Sequence, residues 1–271
     1  MKEMFKQNQQ LQFIVNEIAE TAHYLWEKSW AERNAGNISV NITDLLSKDE
    51  TKLFDSISTE LFHGSRYTLG NQVFIVTTAG SRMRDLAKDP WEHLCILKIS
   101  SNGNGYRKAI FNSEKRKAKN GIPTSELPTH LSIHQLLLEK KPETRAIVHA
   151  HATELIALTH IPEFQSTGSL NRILWGMHPE TMLFVPQGTG FIPYLLTGTT
   201  TIAEASAKAL ENHTVVVWEK HGVIATGPTV TEAFDTIDIL SKSARIYFLV
   251  RQAGIEPVGL TDEQLKELAS S

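Results

Sequence analysis

Apolar residues at Leu11, Ile14, Val15, Ile18, Ala19, Ala22, Leu25 and Trp26 recur three and four positions apart, the spacing that lines one side of an α-helix. The chain therefore opens on a long amphipathic helix. The spacing predicts its end near Asn34-Ala35-Gly36-Asn37, where Gly and Asn tolerate left-handed backbone. Ile38, Val40 and Ile42 then alternate with polar residues, the period of a strand. From about Asp44 to Asn71 no period holds, and this stretch is irregular or partly helical. Val73-Phe74-Ile75-Val76-Thr77 is a buried strand by composition and runs into the small-residue turn Thr78-Ala79-Gly80-Ser81. Two further strands, Leu94 to Ser100 and Tyr106 to Phe111, flank Asn102-Gly103-Asn104-Gly105, a hairpin turn.

Pro123-Thr124-Ser125-Glu126-Leu127-Pro128 opens another helix, with Ser125 as N-cap and Glu126 in the first turn, continuing through Leu138. Ile147-Val148-His149-Ala150-His151 reads as a strand, followed by a short helix from Ala152 to Thr159. The Pro- and Gly-punctuated stretch up to about Pro193 contains a short strand at Met182-Leu183-Phe184-Val185. Thr200 to Glu211 has helical spacing, Thr214 to Trp218 is a buried strand, and Val223-Ile224-Ala225-Thr226 completes a hairpin with it. Thr229-Val230-Thr231-Glu232 is a capping box that starts a long helix ending near Gly254, and Thr261-Asp262-Glu263-Gln264 caps a small tail helix. With no internal repeat or low-complexity linker, the pattern predicts an α/β fold in one domain, residues 1–271. Its helices pack on a largely antiparallel sheet.

Composition narrows the function classes. A chain of 271 residues buries a sizeable core, and a formal net charge of −3 offers no footprint for nucleic acid or anionic membranes. The basic run Lys115-Arg116-Lys117-Ala118-Lys119 is short and precedes Asn-Gly, so it reads as a solvated loop. Cys95 is the only cysteine, which excludes an internal disulfide and fits a reducing compartment. The first ten residues carry no signal-peptide core and no run reaches membrane-spanning length, so the expected location is cytoplasmic.

The candidate chemistry lies in histidines. In a strand, residues i and i+2 point to one face at roughly 6.6 Å separation, so His149 and His151 are placed to share an ion. His221, in Glu219-Lys220-His221-Gly222-Val223, is the candidate third ligand. With 11 histidines in the chain, one H-x-H can also arise as core packing. His130 and His134 form a competing pair at i and i+4. A zincin spacing needs Glu directly after the first His, and Leu131 stands there, which favours helix packing and hydrogen bonding for this pair. Three neutral imidazoles leave a zinc ion an open position for catalysis. Glu126 is either a base beside such an ion or an ordinary first-turn helix residue.

Taken together, Asn34-Ala35-Gly36-Asn37, Thr124-Ser125-Glu126-Leu127-Pro128-Thr129-His130, His149-Ala150-His151-Ala152-Thr153 and His221-Gly222-Val223 resemble, in order and separation, the zinc-dependent class II sugar-phosphate aldolases. Trp30-Ala31-Glu32-Arg33-Asn34, Leu174-Trp175 and the long segment before Val73 place the likeness nearest one branch of that family. The resemblance implies a three-layer α/β fold and one zinc per subunit on His149, His151 and His221, with Glu126 as catalytic acid/base. The implied reaction is aldol cleavage of a ketose 1-phosphate by a homotetramer. It also implies a phosphate pocket from Asn34, Gly36, Asn37, Gly80, Thr124 and Ser125, and a second acidic residue, Glu180, reaching a neighbouring subunit's site. Where the family has Gly-Ser-Gly, this chain has Thr78-Ala79-Gly80; Ala79 lacks the hydroxyl, so phosphate contact there falls to backbone N–H groups, with Thr78 or Ser81 compensating. Epimerases of the same fold carry Asp where Glu126 stands, and adducin-like assembly modules lack the ligand set, so the residues favour cleavage.

Overall fold

The computed structural model describes residues 2–62, 65–111 and 121–270, so the basic run at 115–119 lies outside the described residues. Among the described residues nine strands form one mixed sheet: β1 (Asn37–Asn41), β2 (Glu60–Leu61), β3 (Val73–Thr77), β4 (Leu94–Ile99), β5 (Gly105–Ile110), β6 (Ala146–Ala150), β7 (Thr189–Ile192), β8 (Val215–Trp218) and β9 (Gly222–Gly227). Their order across the sheet is β2-β5-β4-β3-β1-β6-β9-β8-β7. Every pairing is antiparallel except β7 with β8. The helices are α1 (Lys2–Gln7), α2 (Gln9–Glu27), α3 (Lys48–Lys52), α4 (Met83–Leu86), α5 (Leu127–Lys140), α6 (Thr153–Leu158), α7 (Thr167–Met177), α8 (Pro179–Phe184), α9 (Thr200–Ala209), α10 (Val230–Gln252) and α11 (Asp262–Ala269).

Strand alternation sends successive side chains to opposite faces, and here both faces are covered. Ala146, Val148, Val215, Val217, Val73 and Ile75 pack with α2, α6, α7 and α10 in one core. Their sequence neighbours Ile147, Val216 and Trp218 meet Ile133, Leu136 and Leu137 of α5 and Ile202 of α9 on the other side. Phe74 and Val76 pack there against Leu127 and Leu131. This double burial gives the three layers and explains why the strands read as apolar runs.

Four expectations need correction. The first long helix, α2, ends at Glu27, because Trp30 N–H donates to the Leu25 carbonyl and Ser29 N–H to that of Trp26 while Ser29 takes φ 61°. That is a Schellman closure made without glycine, so the usual stop signal is missing. Met182–Val185 is not a strand: Pro179–Phe184 forms α8, with Pro at its start, and four apolar residues alone cannot separate the two periods. The real strand of that stretch is β7, held parallel to β8, and α7 was not anticipated. Ser125 is not the N-cap of α5; Glu126 is, and its side chain makes no capping bond. At Thr229 only half of the capping box forms, because its hydroxyl accepts from Glu232 N–H while Glu232 Oε1 accepts from that hydroxyl. At Thr261 both halves form.

Candidate metal centre and catalytic cleft

The sheet delivers the histidines to one end of its central strands. β6 carries His149 on the face toward α5, opposite Asn37 of β1. The β8–β9 hairpin pairs Trp218 with Gly222, and the intervening turn, with Lys220 at φ 56°, brings His221 back over the end of the sheet. The three rings form a near-equilateral group, with centroids 5.2 Å apart for His149–His151, 5.0 Å for His149–His221 and 4.9 Å for His151–His221. One nitrogen from each lies within 4.8 Å of the others.

Each ring is held by its surroundings. His149 Nδ1–H donates to the Val223 carbonyl at 2.9 Å, which fixes the tautomer and leaves the Nε2 lone pair pointing at the group. His151 Nδ1 meets Glu32 Oε1 at 2.7 Å, and its backbone N–H donates to the Trp30 carbonyl. Trp218 stacks on His221, centroids 5.0 Å apart and 17° between planes, and also packs on His149. Burial pushes His149 down to about 3 and His221 down to about 4; for His221 the Glu126 carboxylate opposes the shift. Both rings are thus kept neutral, the form that ligates metal. His149 Nε2 and His221 Nδ1 are buried with no hydrogen-bond partner. Leaving such atoms unsatisfied costs on the order of 1–3 kcal/mol each, and a cation on His149 Nε2, the nitrogen that faces Glu126, removes that cost there. The residues fit a divalent metal.

Gly222 is part of that fit. A Cβ there would stand 2.5 Å from the Ala150 carbonyl oxygen, 3.0 Å from His149 Cε1 and 3.2 Å from His151 Cδ2. Gly222→Ala is expected to displace both ligands and to lower metal affinity about 10–100-fold, read by competition with a chelator of known affinity.

Glu126 completes the centre. Its Oε2 lies 3.6 Å from His149 Nε2 and accepts from Asn37 Nδ2 at 3.0 Å; its Oε1 lies 3.8 Å from His221 Nε2. The cleft beside it, about 180 Å³, is lined by Asn34, Ala35, Gly36, Asn37, Thr77 to Ser81, Thr124 to Glu126 and the three histidines. Gly36 takes φ +78°, and a Cβ would sit 3.1 Å from the His149 carbonyl oxygen, so the turn needs glycine to approach β6. Gly80 takes φ +77° and faces open space. Thr124 Oγ1 accepts from Glu126 N–H, so its own proton remains for a ligand. The expected help from Thr78 and Ser81 is not offered in this arrangement: their hydroxyls bond each other at 2.8 Å and the His93 carbonyl. The Ala79 N–H is spent on the Ile122 carbonyl.

The structure thus brings together every metal and phosphate-pocket residue expected from sequence, with Glu126 among them. Glu180 is not in this cleft; it pairs with His178 at 3.0 Å on the surface of α8. Glu32 and Trp218 were missed as supports. Glu32 lies inside the Trp30–Asn34 motif, which carried the likeness but assigned it no role, whereas Trp218, three residues before His221, was visible only as a strand end.

His130 and His134 take up the structural alternative, fully buried against β1 and hydrogen-bonded to Ser39. Burial lowers His130 from 6.5 to about 4 and His134 well below 6.5. The unfolded chain takes up protons first as pH falls, so stability is complete above 6.5 and is lost between 6.5 and about 4. At about 1.4 kcal/mol per pH unit, His130 accounts for on the order of 3 kcal/mol of that loss. Urea unfolding at about pH 7 and about pH 5 should show a smaller acid loss for His130→Phe than for wild type, because the variant lacks this group.

Comparisons with known proteins place the whole chain among aldolases. The family described as Class II Aldolase and Adducin N-terminal domain matches residues 16–248. The rhamnulose-1-phosphate aldolase of Bacteroides thetaiotaomicron is 42% identical over 270 residues, 99% of this chain and 97% of that one. The rhamnulose-1-phosphate aldolase of Listeria welshimeri is 34% identical over 94% of this chain and 90% of that one. A solved sugar-phosphate aldolase from Thermotoga maritima superposes with a TM-score of 0.78 at 34% identity, covering 92% of this chain and 99% of that one.

Proposed function

Because the chain belongs to the class II aldolase and adducin N-terminal domain family, we propose that it cleaves L-rhamnulose 1-phosphate reversibly to dihydroxyacetone phosphate and L-lactaldehyde. The observation that carries this reading is the placement of Glu126, with one carboxylate oxygen 3.6 Å from His149 and the other 3.8 Å from His221, at the end of a phosphate-sized cleft. The full-length likeness to rhamnulose-1-phosphate aldolases supports this substrate. A solved L-fuculose 1-phosphate aldolase is 21% identical and supports the fold alone.

The centre would hold one zinc on His149, His151 and His221, since three imidazole nitrogens suit that ion and leave a position for substrate. When bound, such a cation supplies Lewis acidity, polarising a carbonyl and stabilising negative charge beside it. The chain's own groups do the rest. Gly36 and Gly80 backbone, the Asn34 amide and the hydroxyls of Thr124 and Ser125 bind the phosphate dianion by N–H and O–H donors without Lys or Arg. That anchor sets C3 of the ketose beside Glu126. The Glu126 carboxylate takes the C4 hydroxyl proton as the C3–C4 bond breaks, which frees the aldehyde and leaves the bonding electrons with the C3 fragment. Glu126 then delivers a proton to C3, and in the synthetic direction removes it. Asn37 holds Oε2 during that transfer.

Glu180 shares α8 with Leu183 and Phe184, which are 46% and 68% exposed, an apolar surface that another copy of the chain would cover. In this reading the protein is a cytoplasmic homotetramer of single-domain subunits, and Glu180 serves a neighbour's cleft. Among the described residues no helix is long and apolar enough to cross a membrane.

The test is to measure dihydroxyacetone phosphate released from L-rhamnulose 1-phosphate and from L-fuculose 1-phosphate, with and without chelator. Faster, chelator-sensitive release from the rhamnulose ester is expected. Chelator-insensitive cleavage removes the metal from the mechanism, and a preference for the fuculose ester removes the substrate assignment.

A further inference from the structure

Counted from the N-cap of α5, Glu126, His130 and His134 fall at four-residue steps, while Asn37 and Ser39 fall two apart on β1. Four helical residues rise about 6 Å, and two strand residues about 6.6 Å. The two ladders therefore keep step, and their side chains interleave in the order Glu126, Asn37, His130, Ser39, His134. Asn37 Nδ2 lies 3.0 Å from Glu126 Oε2. Asn37 Oδ1 makes a short contact with His130 Nε2. His130 Nδ1 lies 2.7 Å from Ser39 Oγ, and Ser39 Oγ 2.8 Å from His134 Nε2. All five residues are buried.

The direction of every bond follows from its end point. A carboxylate only accepts, so Asn37 must turn its NH2 toward Glu126 and its carbonyl oxygen toward His130. His130 must then carry its proton on Nε2, which leaves Nδ1 as an acceptor. Ser39 spends its single proton on that nitrogen, and its oxygen accepts from His134 Nε2–H. The whole row donates one way, toward Glu126. Burial keeps both imidazoles neutral, as this arrangement requires.

We propose that His130 and Ser39, backed by His134, are positioning residues that act through Asn37 to lock Glu126. A helix needs no such row to pack on this sheet, since Leu131, Ile133 and Leu137 of α5 already do so. The row prevents the Asn37 amide from flipping its oxygen toward the carboxylate. It immobilises Oε2 and leaves Oε1, the oxygen turned to His221, as the atom that exchanges a proton with carbon. Asn37, first placed in the phosphate pocket, thereby gains a second duty.

This inference rests on the acid/base reading of Glu126, and its test separates the two. In D2O without aldehyde, exchange of a C3 hydrogen of dihydroxyacetone phosphate, followed by proton NMR, reports the Glu126 step alone. His130→Phe should retain its metal and fold but lose about 10–100-fold in both kcat and exchange, the usual effect of removing a group that orients a site residue, with KM little changed. Ser39→Ala should lose less. His130→Gln should recover much of the loss, because its amide can donate to Asn37 Oδ1 and accept from Ser39. Unchanged kcat in His130→Phe, a change confined to KM, or no recovery in a folded His130→Gln overturns the proposal. Failure of the wild type to release dihydroxyacetone phosphate overturns the function instead. In that event 15N spectra of labelled histidines still judge the row: protons on Nε2 of both His130 and His134 are expected, and one on Nδ1 of His130 contradicts it.

Discussion

Glu126→Gln is expected to keep the fold and the metal and to lose about 10²–10⁴-fold in kcat, the range that a positioned general acid/base contributes. The substitution is close to isosteric, so the cleft keeps its shape. The three histidines are untouched, and metal content measured on the purified variant should equal wild type. What is lost is an exchangeable proton at the carboxylate that faces both His149 and His221. Deuterium exchange into dihydroxyacetone phosphate should fall in parallel with cleavage, because both need the same proton transfer. KM should change little, since the substitution leaves the proposed phosphate-binding residues Asn34, Gly36, Gly80, Thr124 and Ser125 in place. A variant with near wild-type turnover removes Glu126 from the acid/base role. A variant that has lost its metal shows that the carboxylate serves chiefly as a ligand.

What the sequence disclosed and what it hid follow from the range of the forces involved. β3, β4, β6, β8 and β9 were legible because double burial writes itself as apolar runs, β5 because a hairpin turn precedes it, and the tail helix because its cap is local. The sequence could place His149 and His151 two apart on one strand, but bringing His221 to them depends on the β6–β9 and β8–β9 pairings, which only the folded sheet supplies. β7 escaped because a parallel partner leaves no hairpin signal, and Gly190 within it weakens the strand pattern. The end of α2 escaped because Ser29 does what glycine usually does. The His130 and His134 pair packs and hydrogen-bonds in the interior, as its helical spacing without a following Glu suggested. That it reaches Glu126 could not be read, because the link runs through Asn37 and Ser39, about ninety residues away in sequence. Long-range registers of this kind leave no trace in local spacing.

The three imidazoles are not equivalent, and His149→Ala should be the most damaging of the ligand substitutions. His149 is buried, clamped to the Val223 carbonyl and packed on Trp218, and its Nε2 has no other partner. Its loss removes the most rigid of the three donors and opens a cavity that water can enter beside Glu126. His151 is half-buried and depends on Glu32, an exposed side chain, for its orientation. His151→Ala should therefore weaken the centre less. In wild type, dialysis against chelator should abolish cleavage and lower Tm, because metal that binds only the folded state contributes about 4 kcal/mol at a thousandfold excess over Kd. Stoichiometric zinc should restore both. In His149→Ala, added zinc should restore neither, since two remaining imidazoles and a carboxylate held by Asn37 do not reproduce the tetrahedral set. Calorimetric melts of both proteins with and without zinc, paired with cleavage rates, decide the matter. A zinc-dependent rise in Tm that survives in His149→Ala would move the metal away from this cluster.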